Sequence, residues 1–151
     1  MKRIILTILC CVTALFAAGR NASAQALPGD EICGDWVTSH GGGTSYVKVS
    51  KSADGTYKAQ VWYVSQDKDK NGNKILDTKN PDKSLRNTPI DKVVLFSGLK
   101  YDAGGKCWNV TKIYDPSRGL KANLTCRLNG NEMSLRGQVM GIGETVVWKR
   151  K

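Results

Sequence analysis

From Gly34 onward, turn residues every eight to twelve positions cut the chain into short stretches of alternating apolar and polar residues, a spacing that excludes most folds. A packed helix needs apolar residues three and four apart, and no amphipathic stretch of useful length is present. The predicted strands occupy 34–38, 45–50, 56–65, a segment around 93–96, 106–114, 120–128, a segment beginning after 129–131, and 144–149. In the second, Val47 and Val49 share one face and Tyr46 and Lys48 the other; the third sets Tyr57, Ala59, Val61 and Tyr63 against Lys58, Gln60 and Trp62. Asp54-Gly55 is a strong hairpin signal, the glycine stretch at 40–43 reads as a flexible loop, and 66–89 is a long polar connection. Eight antiparallel strands in succession, with no helix to cover them, leave two unpaired edges unless the sheet closes. The expectation is therefore an all-β fold, an eight-stranded antiparallel up-and-down barrel with a long ordered loop between strands three and four. The interior of a barrel this size is either filled by side chains or holds one small ligand, and both readings stand.

Before these strands comes an export leader. Lys2 and Arg3 supply a positive start, 4–18 is an apolar stretch too short to span a bilayer with polar flanks, and Ala22-Ser23-Ala24 offers a small-x-small cleavage site. Residues 1–24 are read as a signal peptide and 25–151 as a single domain, secreted or periplasmic, with no membrane span once the leader is gone. Cys10 and Cys11 leave with it, since Leu9 is too large for a lipobox.

The leader also removes Lys2, Arg3 and Arg20, so a formal charge of +10 falls to +7. The remaining lysines are scattered over loops and polar strand faces, with one true cluster at Trp148-Lys149-Arg150-Lys151. That distribution keeps an exported protein soluble and does not call for nucleic acid. Cys33, Cys107 and Cys126 are an odd number, so one bridge at most can form, with three possible pairings.

Candidate sites are few. Tyr57, Trp62, Tyr63, Trp108 and Tyr114 either line a cup for a flat or apolar molecule or simply fill the core. Asp67, Asp69, Asn71, Gly72 and Asn73 match the opening of a calcium loop, but the closing bidentate Glu is replaced by Thr78, with Asp77 one residue early. Lys74 stands at the usual apolar anchor and no helix precedes, so the segment reads as a hydrated turn, not a metal site. Asn80 followed by Pro81 predicts one helical turn over 80–86, and the whole connection is expected to lie as a lid across a barrel mouth with Arg86 directed at the opening or at an inter-strand carboxylate. His40 sits in the glycine loop beside Ser39 with no acid to orient it. No acid, base and nucleophile converge, so the chain is read as no enzyme, without a cofactor.

Gly34-Asp35-Trp36 and the late Arg150 resemble the lipocalin-like barrels, in which a Gly-x-Trp near the start packs at the closed end beneath a basic residue. A longer ordered set runs through Leu76-Asp77-Thr78-Lys79-Asn80-Pro81-Asp82-Lys83-Ser84-Leu85-Arg86-Asn87-Thr88-Pro89-Ile90, Gly98-Leu99-Lys100-Tyr101, Ile113-Tyr114-Asp115-Pro116, Cys126-Arg127-Leu128, Leu135-Arg136-Gly137 and Trp148-Lys149-Arg150. This set covers nearly all of 25–151 and is similar to the exported bacterial family called domain of unknown function 2147. The resemblance implies a lipocalin-like fold and export, and no chemistry. Gly143-Glu144-Thr145 keeps only part of that family's glycine turn, and Cys33 and Cys107 are additions, so no disulfide pattern carries over. Two function classes follow: a binding protein that holds a small apolar or aromatic ligand in a barrel cup, or an envelope interaction module with a packed interior that meets a protein partner through its outer wall or basic tail. The discriminator is whether the interior is open and on which side Trp62 lies.

Overall fold

The computed structural model describes residues 27–40 and 42–151, and of His40 and Val110 the backbone alone. The expected leader at 1–24, and the side chain of His40, lie outside the described residues. Eight strands, β1 Gly34–His40, β2 Gly43–Lys51, β3 Tyr57–Val64, β4 Val94–Asp102, β5 Cys107–Asp115, β6 Leu120–Asn129, β7 Glu132–Val139 and β8 Ile142–Arg150, form one closed antiparallel barrel in chain order. Of the loop expected at 40–43, His40 ends β1 and pairs with Gly43 at the start of β2, and Gly41 lies outside the described residues.

Closure is achieved by a short seam. β1 and β8 pair only at Trp36 with Arg150 and Val37 with Lys149, extended by a bond from the Lys151 amide to the Asp35 carbonyl (2.9 Å). By contrast, β7 and β8 pair continuously from Glu132–Lys149 to Val139–Ile142.

The seam end is plugged by the segment preceding β1. A turn of 3₁₀ helix, Asp30–Ile32, folds under the barrel and buries Ile32 completely. Trp36 Nε1 donates to the Ile32 carbonyl (3.0 Å), and Trp108 Nε1 donates to that of Gly29 (3.0 Å). The Arg150 guanidinium lies 4.4 Å from the centre of the Trp36 ring and donates to the carbonyls of Cys33 (3.0 Å) and Glu31 (2.7 Å). Gly34 is required by this approach: its φ is +133°, and a Cβ there would sit 2.7 Å from Arg150 Nη1. At the same end the Tyr57 hydroxyl donates to Asp30 (2.7 Å), and Lys51 binds the same carboxylate (2.7 Å), holding it below its ordinary range.

Side-chain bulk declines along the barrel axis. Trp36, Trp108, Phe96, Leu99 and Met133 are buried in the plugged half, whereas the opposite half is walled by residues such as Thr38, Ser45, Ala122 and Gly137. Phe96 stacks on Trp148 with ring centres 6.3 Å apart, and Trp148 marks the level at which the packed core ends.

Replacing Arg150 by Met should remove two hydrogen bonds and the cation over Trp36 while preserving most of the bulk. A loss of about 1–3 kcal/mol is expected from urea denaturation. An unchanged midpoint would show that the plug holds without it.

Candidate functional site

Above Trp148 the barrel contains a cavity of about 880 Å³, open to solvent at the end away from the plug. Val47, Val61, Val64, Leu95, Ile113, Leu135 and Val146 form its apolar wall. Polar groups gather at the mouth, where Lys79, Asp115, Ser117, Arg118 and Glu144 line the rim. The size and the apolar wall with a polar collar match sites that enclose one small organic molecule.

The connection between β3 and β4 crosses part of this mouth and gives Ile75, Leu76, Thr78, Lys79 and Ile90 to the lining. It is held by a backbone bridge between Leu76 and Pro89, by the Asp77 amide on the Thr88 carbonyl (2.9 Å), and by the Ile90 amide on the Ile75 carbonyl (2.9 Å). Its anchor to the barrel is a buried carboxylate. Asp77 accepts from the Tyr114 hydroxyl (2.6 Å) on β5 and from Asn80 Nδ2 (2.7 Å). Burying a carboxylate is costly unless its lone pairs are used, so this triad ties the segment to the wall. Burial, and after it the bond to Asp77, pushes the Tyr114 phenol above its ordinary value of 10.0. Tyr57 is raised for the same two reasons, with Asp30 as its partner. At the rim, Arg118 bridges Glu144 (2.8 Å) on β8 and Asp115 (3.5 Å) on β5, while Lys79 donates to the Ser117 carbonyl (2.6 Å).

The five aromatic residues expected around the cup separate into three places. Tyr114 lines it. Tyr57 and Trp108 are buried at the plugged end, below the cavity, where the segment 27–32 caps them. Trp62 and Tyr63 stand on the outside of the barrel, packed with Tyr46. The reason is a bulge: Tyr46 pairs with Tyr63 but Val47 pairs with Val61, so Trp62 is an extra residue and the alternation slips by one. Val64, not Tyr63, therefore faces the cup. Lys151 caps this outer cluster, 4.7 Å from the Tyr46 ring centre and 5.3 Å from that of Trp62.

Arg86 does not point at the opening either; its Nε donates to the Asn80 carbonyl (2.8 Å) and closes the segment on itself. The expected helical turn forms later than 80, as a 3₁₀ turn over Lys83–Leu85 capped by Asp82, while the Asn80 oxygen accepts from the Asp82 amide (2.9 Å) in a turn before it. In the former calcium-loop candidate, Asp69 accepts from the amides of Asn71 (2.8 Å) and Asn73 (2.9 Å), and Lys74 lies against Asp67 and Asp91. Asp67, Asp69, Asn71 and Asn73 thus form a turn whose carboxylates are met by amides and an ammonium. Cys33, Cys107 and Cys126 are unbridged. Cys126 sits opposite Trp108 in the core, and burial pushes its thiol up to about 12, far from a reactive thiolate.

Residues 34–150 match the model of a family described as an uncharacterized protein conserved in bacteria, DUF2147. The chain belongs to the DUF2147 family. A solved structure similar to this DUF2147 member is the Helicobacter pylori protein HP1028, described as belonging to the lipocalin family; it is 26% identical, with a TM-score of 0.62, over 79% of this chain and 82% of that one. No functionally curated protein matched. The lipocalin-like barrel is thus shared with a solved relative, and the residues from Gly34 to Arg150 that close it fall within the family match.

Tyr114→Phe should leave the buried Asp77 short of a partner and destabilise the protein by about 1–3 kcal/mol in urea denaturation. It should also flatten the alkaline limb of stability. Below pH 10.0 the two raised phenols, Tyr57 and Tyr114, are protonated whether the chain is folded or not. Above it the unfolded chain releases these protons first, so stability falls as pH rises. An identical alkaline limb in Tyr114→Phe would contradict the assignment.

Proposed function

We propose that this protein is an exported, non-catalytic binding protein that holds one small apolar or aromatic molecule in its barrel. The observation that carries the reading is the open cavity of about 880 Å³ above Trp148, since a barrel serving only as a scaffold would fill that space with side chains. Walls of Val and Leu favour an apolar body, and the collar of Lys79, Arg118 and Glu144 favours a polar end directed outward. The absence of turnover is supported by the engagement of the groups near the mouth, where Asp77 is bound by Tyr114 and Asn80, and Arg118 by Glu144 and Asp115. The DUF2147 match and the lipocalin description of HP1028 agree with a ligand-holding barrel. Export is supported by the leader pattern in 1–24.

A second reading has one specific observation in its favour. Trp62 and Tyr63 are exposed on the outer wall beside Tyr46 and Lys151, an aromatic cluster of the kind that protein partners use.

The two readings separate in a titration with anilinonaphthalene sulfonate, an apolar dye with one anionic end. Val146→Trp, which fills the cup from β8, should weaken dye binding at least about tenfold, equivalent to about 1.4 kcal/mol, while Trp62→Ala leaves it unchanged. Binding lost in Trp62→Ala and kept in Val146→Trp would place the site on the outer wall and overturn the cup.

A further inference from the structure

The β7–β8 hairpin ends in a two-residue turn, Met140-Gly141, closed by the pair Val139–Ile142. Both turn residues have positive φ, +50° for Met140 and +83° for Gly141. Turns of this shape favour Asn, Asp or Gly at the first position, and an unbranched apolar side chain gains nothing there from its own backbone. The same Met140 is 98% exposed, and Ile142 is 82% exposed. One residue thus carries two unfavourable features at once, a left-handed backbone and an apolar side chain in water. Outliers of this kind cluster at functional sites.

The tip is continuous with the cup. Val139, Met140 and Ile142 belong to the cavity lining, as does the exposed Leu120 at the start of β6, so the apolar wall runs out of the mouth and over the rim. Four side chains cannot cover the roughly 800 Å² per partner that a stable protein pairing requires, so a second copy is a poor occupant. A lipid surface asks for less, because a few apolar side chains entering the headgroup boundary add to electrostatic attraction toward anionic lipid. Without the expected leader the chain carries a formal charge of +7, and Lys121 is exposed on the strand that begins with Leu120. At the rim Arg118 and Lys79 together balance the carboxylates of Asp115 and Glu144.

We propose that the β7–β8 tip, Val139 to Ile142 with Leu120 beside it, is a docking site for an anionic phospholipid surface, which sets the mouth of the cup against the membrane. The attachment stands on the tip itself; the further step, that an apolar ligand passes between bilayer and cup, rests on the proposed function above.

Cosedimentation of the protein with vesicles of phosphatidylcholine and phosphatidylglycerol in equal parts tests it. The unaltered protein should pellet, and the double variant Met140→Asn with Ile142→Thr should bind about tenfold more weakly. The variant should keep or raise its melting temperature, since Asn suits the left-handed position. If the pair does not fold, Met140→Asn alone carries the same expectation of weaker vesicle binding. An unaltered protein that stays in the supernatant overturns the proposal, as does a variant that pellets equally well. A dimer in sedimentation velocity that the variant abolishes would assign the tip to a second copy and overturn it too. Dye binding in vesicle-free solution separates the two claims: vesicle attachment without dye uptake sinks the cup and leaves the docking site standing.

Discussion

The whole architecture depends on a seam of two residue pairs. Most of the strands are joined by tight turns and pair with the next in sequence, whereas β3 and β4 pair across the long connection and β1 and β8 pair across the whole length of the barrel. That ladder has only Trp36–Arg150 and Val37–Lys149, too little to hold a sheet edge on its own. What secures it is Arg150, which spans the seam, covers the Trp36 ring and fastens the carbonyls of Glu31 and Cys33 beneath the barrel. The plug, the seam and the closed end are thus one structure, and the side chains of Tyr57 and Trp108 are drawn into it by Asp30 and Gly29.

A short seam has a second effect. Beyond Val37 and Lys149 the two edge strands are not paired with each other, so Thr38 on β1 and Val146 on β8 both face open cavity. Bulky rings at the floor, with smaller inward side chains such as Thr38, Ser45, Ala122 and Gly137 in the wall above them, turn a closed sheet into a cup. The buried carboxylate of Asp77 ties the segment over that cup to β5, since leaving it unpaired in an apolar setting is costly.

Much of the fold was legible in the sequence because alternation with period two reports directly which side chains are buried, as in Val47 and Val49 or Met133 and Leu135. Hairpin turns at Asp54-Gly55 and Asn129-Gly130 set the boundaries, and Gly34-Asp35-Trp36 carried the closed end. The site was less legible. Alternation assumes unbroken register, and the bulge at Trp62 turned Tyr63 outward with no local signal beyond two aromatic residues side by side. The segment 27–32 has no periodicity to read, so its role as the plug was missed, and with it the reason why Tyr57 and Trp108 belong to the closed end. Asp77 looked like a misplaced calcium ligand, since only the fold reveals that Tyr114 stands across from it. The mouth residues Met140 and Ile142 carry no signal in the sequence, and their exposure becomes meaningful only beside a cavity.

The central claim is that the interior above Trp148 is a site and not a packing defect. Crystals of the protein grown with a bromine-tagged alkyl carboxylate measure this directly, because anomalous scattering locates the heavy atom independently of any assumed pose. The account predicts a bromine peak inside the barrel, between Val61, Leu95 and Leu135, with the carboxylate toward Lys79 and Arg118. Bromine found only against Trp62 on the outer wall, with the interior filled by rearranged side chains, would contradict it.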